Sequence, residues 1–233
     1  MSNFSSVAST AMVTALLIGL TGCGGGGSDG PSSNNPPPAP APAPPPPAPP
    51  PPAPPPPAAV PPVSTTVQDI SDGHAIGVAR WGDPRTDGTP RAGFNCVVNP
   101  PDDIQFRAHL SIMVNNELQR IPSRIGQAIS GVTHCFYPIH VDGNDASGRI
   151  HVESATAGTF TLGQFFEIWG QPLTNTNVAG ITGLPVEIHV TENGTVMKVE
   201  EADWGNIEFK SHREITIELG TPTAEIPNFT WTD

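Results

Sequence analysis

From Ile104 to Val114 the chain alternates apolar and polar positions: Ile104, Phe106, Ala108, Leu110, Ile112 and Val114 share one side, with Arg107 and His109 on the other. A period of two is that of an extended strand with one face on a core. Asn115-Asn116 then reads as a turn into Glu117–Ile121, and Pro122 and Gly126 end the pair. Val186–Val190 and Thr195–Val199 flank Glu192-Asn193-Gly194, a strong hairpin signal, and Glu214–Leu219 alternates again. The spacing predicts one prominent helix, at about 161–169. Leu162, Phe165, Phe166 and Trp169 form its apolar stripe, which points to a core rather than to a ligand site. Thr161 and Gln164 have the spacing of a capping box, and Gly170 stops the helix.

The stretch IHVDGNDASGRIHVE, residues 139–153, reads as another hairpin. With Gly143–Gly148 as the loop, Asp142 faces Arg149, Val141 faces Ile150, His140 faces His151 and Ile139 faces Val152. Ile139, Val141, Ile150 and Val152 then cover the core, while His140, Asp142, Arg149, His151 and Glu153 share the opposite, wet face. Directly opposed residues have Cβ atoms about 5 Å apart, so the two imidazoles stand side by side. Asp142 and Arg149 are placed for a cross-strand ion pair.

Two imidazoles beside the carboxylates of Asp142 and Glu153 are the ligand types that bind Zn, Cu or Fe(II), and His109 supplies a third nitrogen. The alternative is a set of solvated or hydrogen-bonded residues on a polar face. A calcium loop over Asp142–Gly148 is disfavoured, because the oxygen ligands lapse at Ala146 and no acidic residue closes the loop.

Composition narrows the setting. The formal net charge is −12 with 10 Lys+Arg, all of them between Arg80 and Arg213. Nucleic-acid binding needs clustered cations, so this composition argues against it. Residues 7–22 are an apolar, small-residue run too short for a good membrane span. The run ends in Leu20-Thr21-Gly22-Cys23, which resembles the lipobox of bacterial lipoproteins. That resemblance implies a signal peptide over 1–22, lipidation of Cys23, and a membrane contact through the lipid. Gly24, in place of an Asp, leans toward the outer membrane, facing the periplasm or the cell surface. Residues 24–35 are Gly/Ser-rich, and 19 of the 27 positions 36–62 are proline. Proline fixes φ and removes the donor, so this run is polyproline II, roughly 80 Å of spacer at about 3.1 Å per residue. Residues 23–63 thus read as a lipidated cysteine plus a disordered stalk, and 64–233 as a single β-rich globular domain. Cys96 and Cys135 form an even pair in an oxidising compartment and are expected to be disulfide-bonded, closing a loop of about 40 residues.

The blocks Ala108–Ile112, His140, Asp145–Gly148, Ile150–Glu153, Phe160–Phe166 and Glu214–Pro222 together resemble an exported bacterial domain family of unknown function. The resemblance spans roughly 95–222 and implies no particular activity. The chain has no G-x-S-x-G elbow, H-E-x-x-H helix, P-loop or dinucleotide fingerprint. Enzyme activity is therefore the less favoured expectation, and no catalytic residue is singled out. The expected fold is α+β, predominantly antiparallel β with one prominent helix, in β-grasp-like hairpin units. The expected role is a lipid-anchored envelope protein displaying a transition-metal-binding module of His109, His140, His151, Asp142 and Glu153. The alternative is a non-metal structural or interaction module for an envelope protein or small ligand, and a hydrolase is the third reading.

Overall fold

The structure is a computed structural model that describes residues 77–130 and 133–231, together with 50, 53 and 59–62. The signal-peptide and lipobox segment, Cys23 included, and most of the stalk lie outside the described residues. In chain order the strands are β1 (Ile104–Val114), β2 (Glu117–Gln119), β3 (Gln127–Ser130), β4 (Thr133–Phe136), β5 (Ile139–His140) and β6 (Arg149–Ser154). Helix α1 (Leu162–Trp169) follows, then β7 (Leu173–Thr174), β8 (Asn177–Val178), β9 (Ile181–Thr182), β10 (Val186–Glu192), β11 (Thr195–Val199) and β12 (Glu214–Leu219). All of these elements fall in the unit Pro55–Asp233.

The main sheet has the order β11-β10-β12-β1-β6-β5, with β2 also paired to β1. β1 and β12 run parallel at its centre, and every other pairing in it is antiparallel. A hairpin unit lies on each side of that parallel pair and the helix lies between them in sequence, the order that β-grasp-like units produce. Small sheets β3-β4 and β7-β8-β9 complete the set. The fold is β-rich α+β.

Local sequence explains the hairpins. A two-residue turn that matches strand twist needs positive φ at both central positions. Asn115 and Asn116 adopt φ 49° and 68°, and Asn193 and Gly194 adopt 51° and 76°. At the helix, Thr161 and Gln164 satisfy each other's backbone donors, and Gly170 closes the end in the left-handed conformation at φ 73°. Gly148 is required for a different reason. It has φ 95°, and a Cβ there would stand 2.2 Å from the Leu110 carbonyl oxygen. Only a glycine lets the end of the 142–148 loop reach the β1 edge.

One face of the sheet is apolar. Ala108, Leu110 and Ile112 of β1 join Ile150 and Val152 of β6, Ile215 and Ile217 of β12, and Ile188 of β10, all fully buried. Leu162, Phe165, Phe166, Ile168 and Trp169 of α1 pack on that face.

The opposite face is polar and is expected to be wet; its middle, at His109, Ser111, Glu214, Thr216 and Glu218, is instead buried. After β12 the chain doubles back across it. The Thr223 N–H and hydroxyl bond Glu218 Oε1 at 2.6 and 2.7 Å. The Phe229 N–H bonds Glu214 Oε2 at 2.9 Å. The Phe229 ring stacks on His109, centroids 4.1 Å apart. This C-terminal strap, 221–231, leaves Ile226 and Phe229 buried against the sheet. Alternation cannot reveal such a cover, because the strap has no period of its own.

Cys96 and Cys135 form a disulfide with Cα atoms 5.4 Å apart, tying the segment before β1 to β4. Its sequence separation of 39 corresponds to about 4 kcal/mol in the chain-entropy account. The variant Cys96→Ser/Cys135→Ser is expected to unfold with about 2–4 kcal/mol less stability in denaturant titration. An unchanged midpoint would refute that role.

Candidate metal centre on the buried polar face

The register of β5 and β6 places Ile139 opposite Val152 and His140 opposite His151, as the hairpin reading expects. The two rings lie 5.6 Å apart at 20°, nearly parallel. They are 2% and 4% exposed, so both imidazoles are shut away from bulk water. Phe136 packs beside His140, centroids 5.4 Å apart.

The two rings are held differently. His140 Nδ1 donates to the Tyr137 carbonyl at 3.0 Å. In the neutral ring this leaves Nε2 as the lone-pair nitrogen, the arrangement that orients a metal-ligating histidine. His151 Nε2 is buried and makes no hydrogen bond. Asp142 turns its carboxylate to both rings, Oδ1 lying 3.8 Å from His140 Nε2 and Oδ2 3.3 Å from His151 Nε2. Its side chain is 49% exposed, so it stands at the mouth of the pair.

Glu153 completes the group. His140, His151 and Glu153 present ligand atoms within 4.8 Å of one another. Gln105, opposite Glu153 in the β1–β6 register, donates to its Oε1 at 2.9 Å and steadies it.

The expected Asp142–Arg149 ladder pair is corrected. β5 ends at His140, and the Val141 N–H leaves the ladder to bond the Ile125 carbonyl at 2.8 Å. Asp142 is thereby swung toward the imidazoles, while Arg149 reaches Asp145 of the loop at 3.4 Å.

His109 lies on the same face, but two ladder positions away. It is opposite Arg149 and Glu214, whereas His151 is opposite Arg107. Its Nε2 meets the Ser147 carbonyl at 2.9 Å and its ring is stacked on Phe229. It does not belong to the group of converging ligand atoms. Its place is structural, joining the strap to the 142–148 loop.

Sequence reasoning passed over a second group, Glu187, His189 and Glu218, whose ligand atoms also lie within 4.8 Å of one another. The alternation of Val186–Val190 already put Glu187 and His189 on one side. What was missing was the β10–β12 register, which sets Glu187 opposite Glu218.

Compared with protein-family models, curated proteins and solved structures, the chain matches none. The chemistry therefore rests on the geometry.

Burial sets the protonation. Desolvation holds His140 and His151 below the ordinary histidine value, against the opposing pull of Glu153 and Asp142 on His140 and of Asp142 on His151. Both rings are neutral at pH 7 and keep the lone pairs that ligation requires. Burial pushes His109 down to about 4. Burial pushes Glu214 the other way, up to about 7, although the Phe229 N–H and Trp231 favour its ionised form.

The signs follow from linkage. A lowered histidine contributes stability that is complete above the unfolded value of 6.5 and is lost as pH falls toward the folded one. Raised Glu214 contributes stability that is complete below 4.5 and is lost as pH rises to about 7. Glu214→Gln keeps an acceptor for Phe229 and removes the titration. Between pH 4.5 and 7 its stability relative to the unaltered chain should improve by up to about 3 kcal/mol. Denaturant unfolding at several pH values reads this. A pH-independent difference would contradict it.

Proposed function

We propose that this chain is a lipid-anchored envelope protein whose β-rich domain binds a divalent transition metal at His140 and His151, with Glu153 and Asp142 as carboxylate ligands. One observation carries the reading. Two buried neutral imidazoles stand side by side, one oriented through its Nδ1 by a backbone carbonyl and the other with a buried Nε2 that makes no hydrogen bond. A buried polar atom without a partner carries a desolvation cost of about 1–3 kcal/mol that a bound ion would remove. Two nitrogens and carboxylate oxygens suit Zn(II) and its first-row neighbours rather than Ca(II) or Mg(II), which select all-oxygen shells. Asp142, half-exposed at the mouth, is the ligand that an exchangeable or substrate-bearing site would leave open. The alternative, a non-metal interaction module, is the outcome if no ion binds.

The test is metal content and thermal stability of the full chain, made without a polyhistidine tag, beside His140→Ala/His151→Ala. The unaltered chain should gain about 2.7 kcal/mol with Zn(II) at about a hundred times its Kd. The double variant should bind one equivalent fewer and lose the share of that gain that this centre contributes. An unaltered chain whose melting point ignores Zn(II), Cu(II) and Fe(II) would refute the metal reading.

The anchor is supported by Leu20–Cys23 and by the proline-rich run that follows. Cys23→Ser should move the chain from the membrane fraction to the soluble fraction of the producing bacterium. An unchanged membrane fraction would rule out attachment through that cysteine.

A further inference from the structure

The opposite flank of the same polar face holds a group that the reading above does not use. β10 and β12 pair so that Glu187 stands directly across from Glu218, and His189 across from Thr216. Like charges directly opposed on neighbouring strands repel. Here one of the two is shut in: Glu218 is 2% exposed and His189 is 0% exposed. Burial raises the Glu218 carboxyl, but the adjoining His189 ring and the Thr223 donors more than offset this and hold it below its ordinary value, so it is ionised at neutral pH.

The protein's own partners leave this group incomplete. Glu218 Oε1 takes both Thr223 donors, but Oε2 has no hydrogen bond. His189 has none at either ring nitrogen. Its Nδ1 lies 3.1 Å from Glu218 Oε2 without hydrogen-bond geometry. Ligand atoms around a tetrahedral ion at about 2.0–2.1 Å stand roughly 3.3 Å apart, so the two atoms are already close to the spacing that a shared ion needs. Glu187 reaches in from the rim. Its Oε1 is held by Lys198 at 2.7 Å, and the side chain is 40% exposed.

We propose that Glu187, His189 and Glu218 form a second cation site, closed rather than open, which takes a divalent transition ion such as Zn(II). One imidazole and two carboxylates suit such an ion. The ion neutralises the opposed carboxylates, partners the buried histidine and, through Glu218 and Thr223, fastens the start of the strap to the sheet. This site shares no residue with His140, His151, Asp142 or Glu153. It stands or falls independently of that centre.

Calorimetric titration of Zn(II) into the full chain carrying His140→Ala/His151→Ala tests it. One equivalent is expected, with affinity at least tenfold weaker once Glu187→Gln is added. Glu187 is half-exposed at an edge, so this change leaves the core alone. No Zn(II) uptake by the His140→Ala/His151→Ala chain, with its circular dichroism unchanged, overturns the proposal. So does one equivalent bound with the same affinity after Glu187→Gln. If the double alanine variant does not fold, the Glu187→Gln change alone in the otherwise unaltered chain carries the test. It should then weaken one of the Zn(II) equivalents bound per chain at least tenfold, and unchanged affinity of every equivalent overturns the proposal. Were the His140/His151 centre to bind nothing, the unaltered chain would bind a single equivalent and Glu187→Gln would weaken it, which separates the two failures.

Discussion

Everything in this molecule turns on the central parallel pair having no wet side. β1 and β12 are covered by the helix on their apolar face and by the C-terminal strap on their polar one. A polar group buried without a partner costs about 1–3 kcal/mol, so a buried polar face must find partners for its groups. Most of them do. Glu214 and Glu218 take backbone donors from the strap, and His109 is stacked on Phe229 and bonded to Ser147. His151 Nε2, both ring nitrogens of His189, the Thr191 hydroxyl and one oxygen of Glu218 have no hydrogen bond, and the two histidines lie toward the flanks of the sheet, beside carboxylates. The exceptions mark where chemistry other than folding is to be sought.

The two flanks differ in access. At His140 and His151 the covering carboxylate, Asp142, is half in solvent and the rings themselves are buried. At His189 the histidine and one carboxylate are sealed, and only Glu187 reaches the rim. An open position suits exchange or catalysis, and a closed one suits structure. A single sheet face thus carries one candidate site of each kind, both brought together by strand register.

Much of this was legible in residue order. Strict alternation located β1, β10 and β12, the Asn-containing turns set two hairpins, and Thr161, Gln164 and Gly170 bounded the helix. The His140–His151 pairing followed from the period of a strand and one choice of loop. Other features depended on long-range pairing that no local pattern carries. The parallel β1–β12 contact, the strap, and the meeting of Glu187 with Glu218 each join residues far apart in the chain. The Asp142–Arg149 expectation failed for a related reason: backbone bonding of Val141 to Ile125 ended the ladder two residues early. His109 misled because sharing a face is not sharing a site; two ladder steps and a stacked ring separate it from the pair.

The measurement that bears most directly on the central claim is anomalous diffraction at the zinc edge from crystals grown with Zn(II). The account predicts an anomalous peak bonded to Nε2 of both His140 and His151 at about 2.0–2.1 Å, with a carboxylate oxygen of Glu153 or Asp142 completing the shell. Zinc absent from that position, with the two rings instead hydrogen-bonded to protein or ordered water, would contradict it.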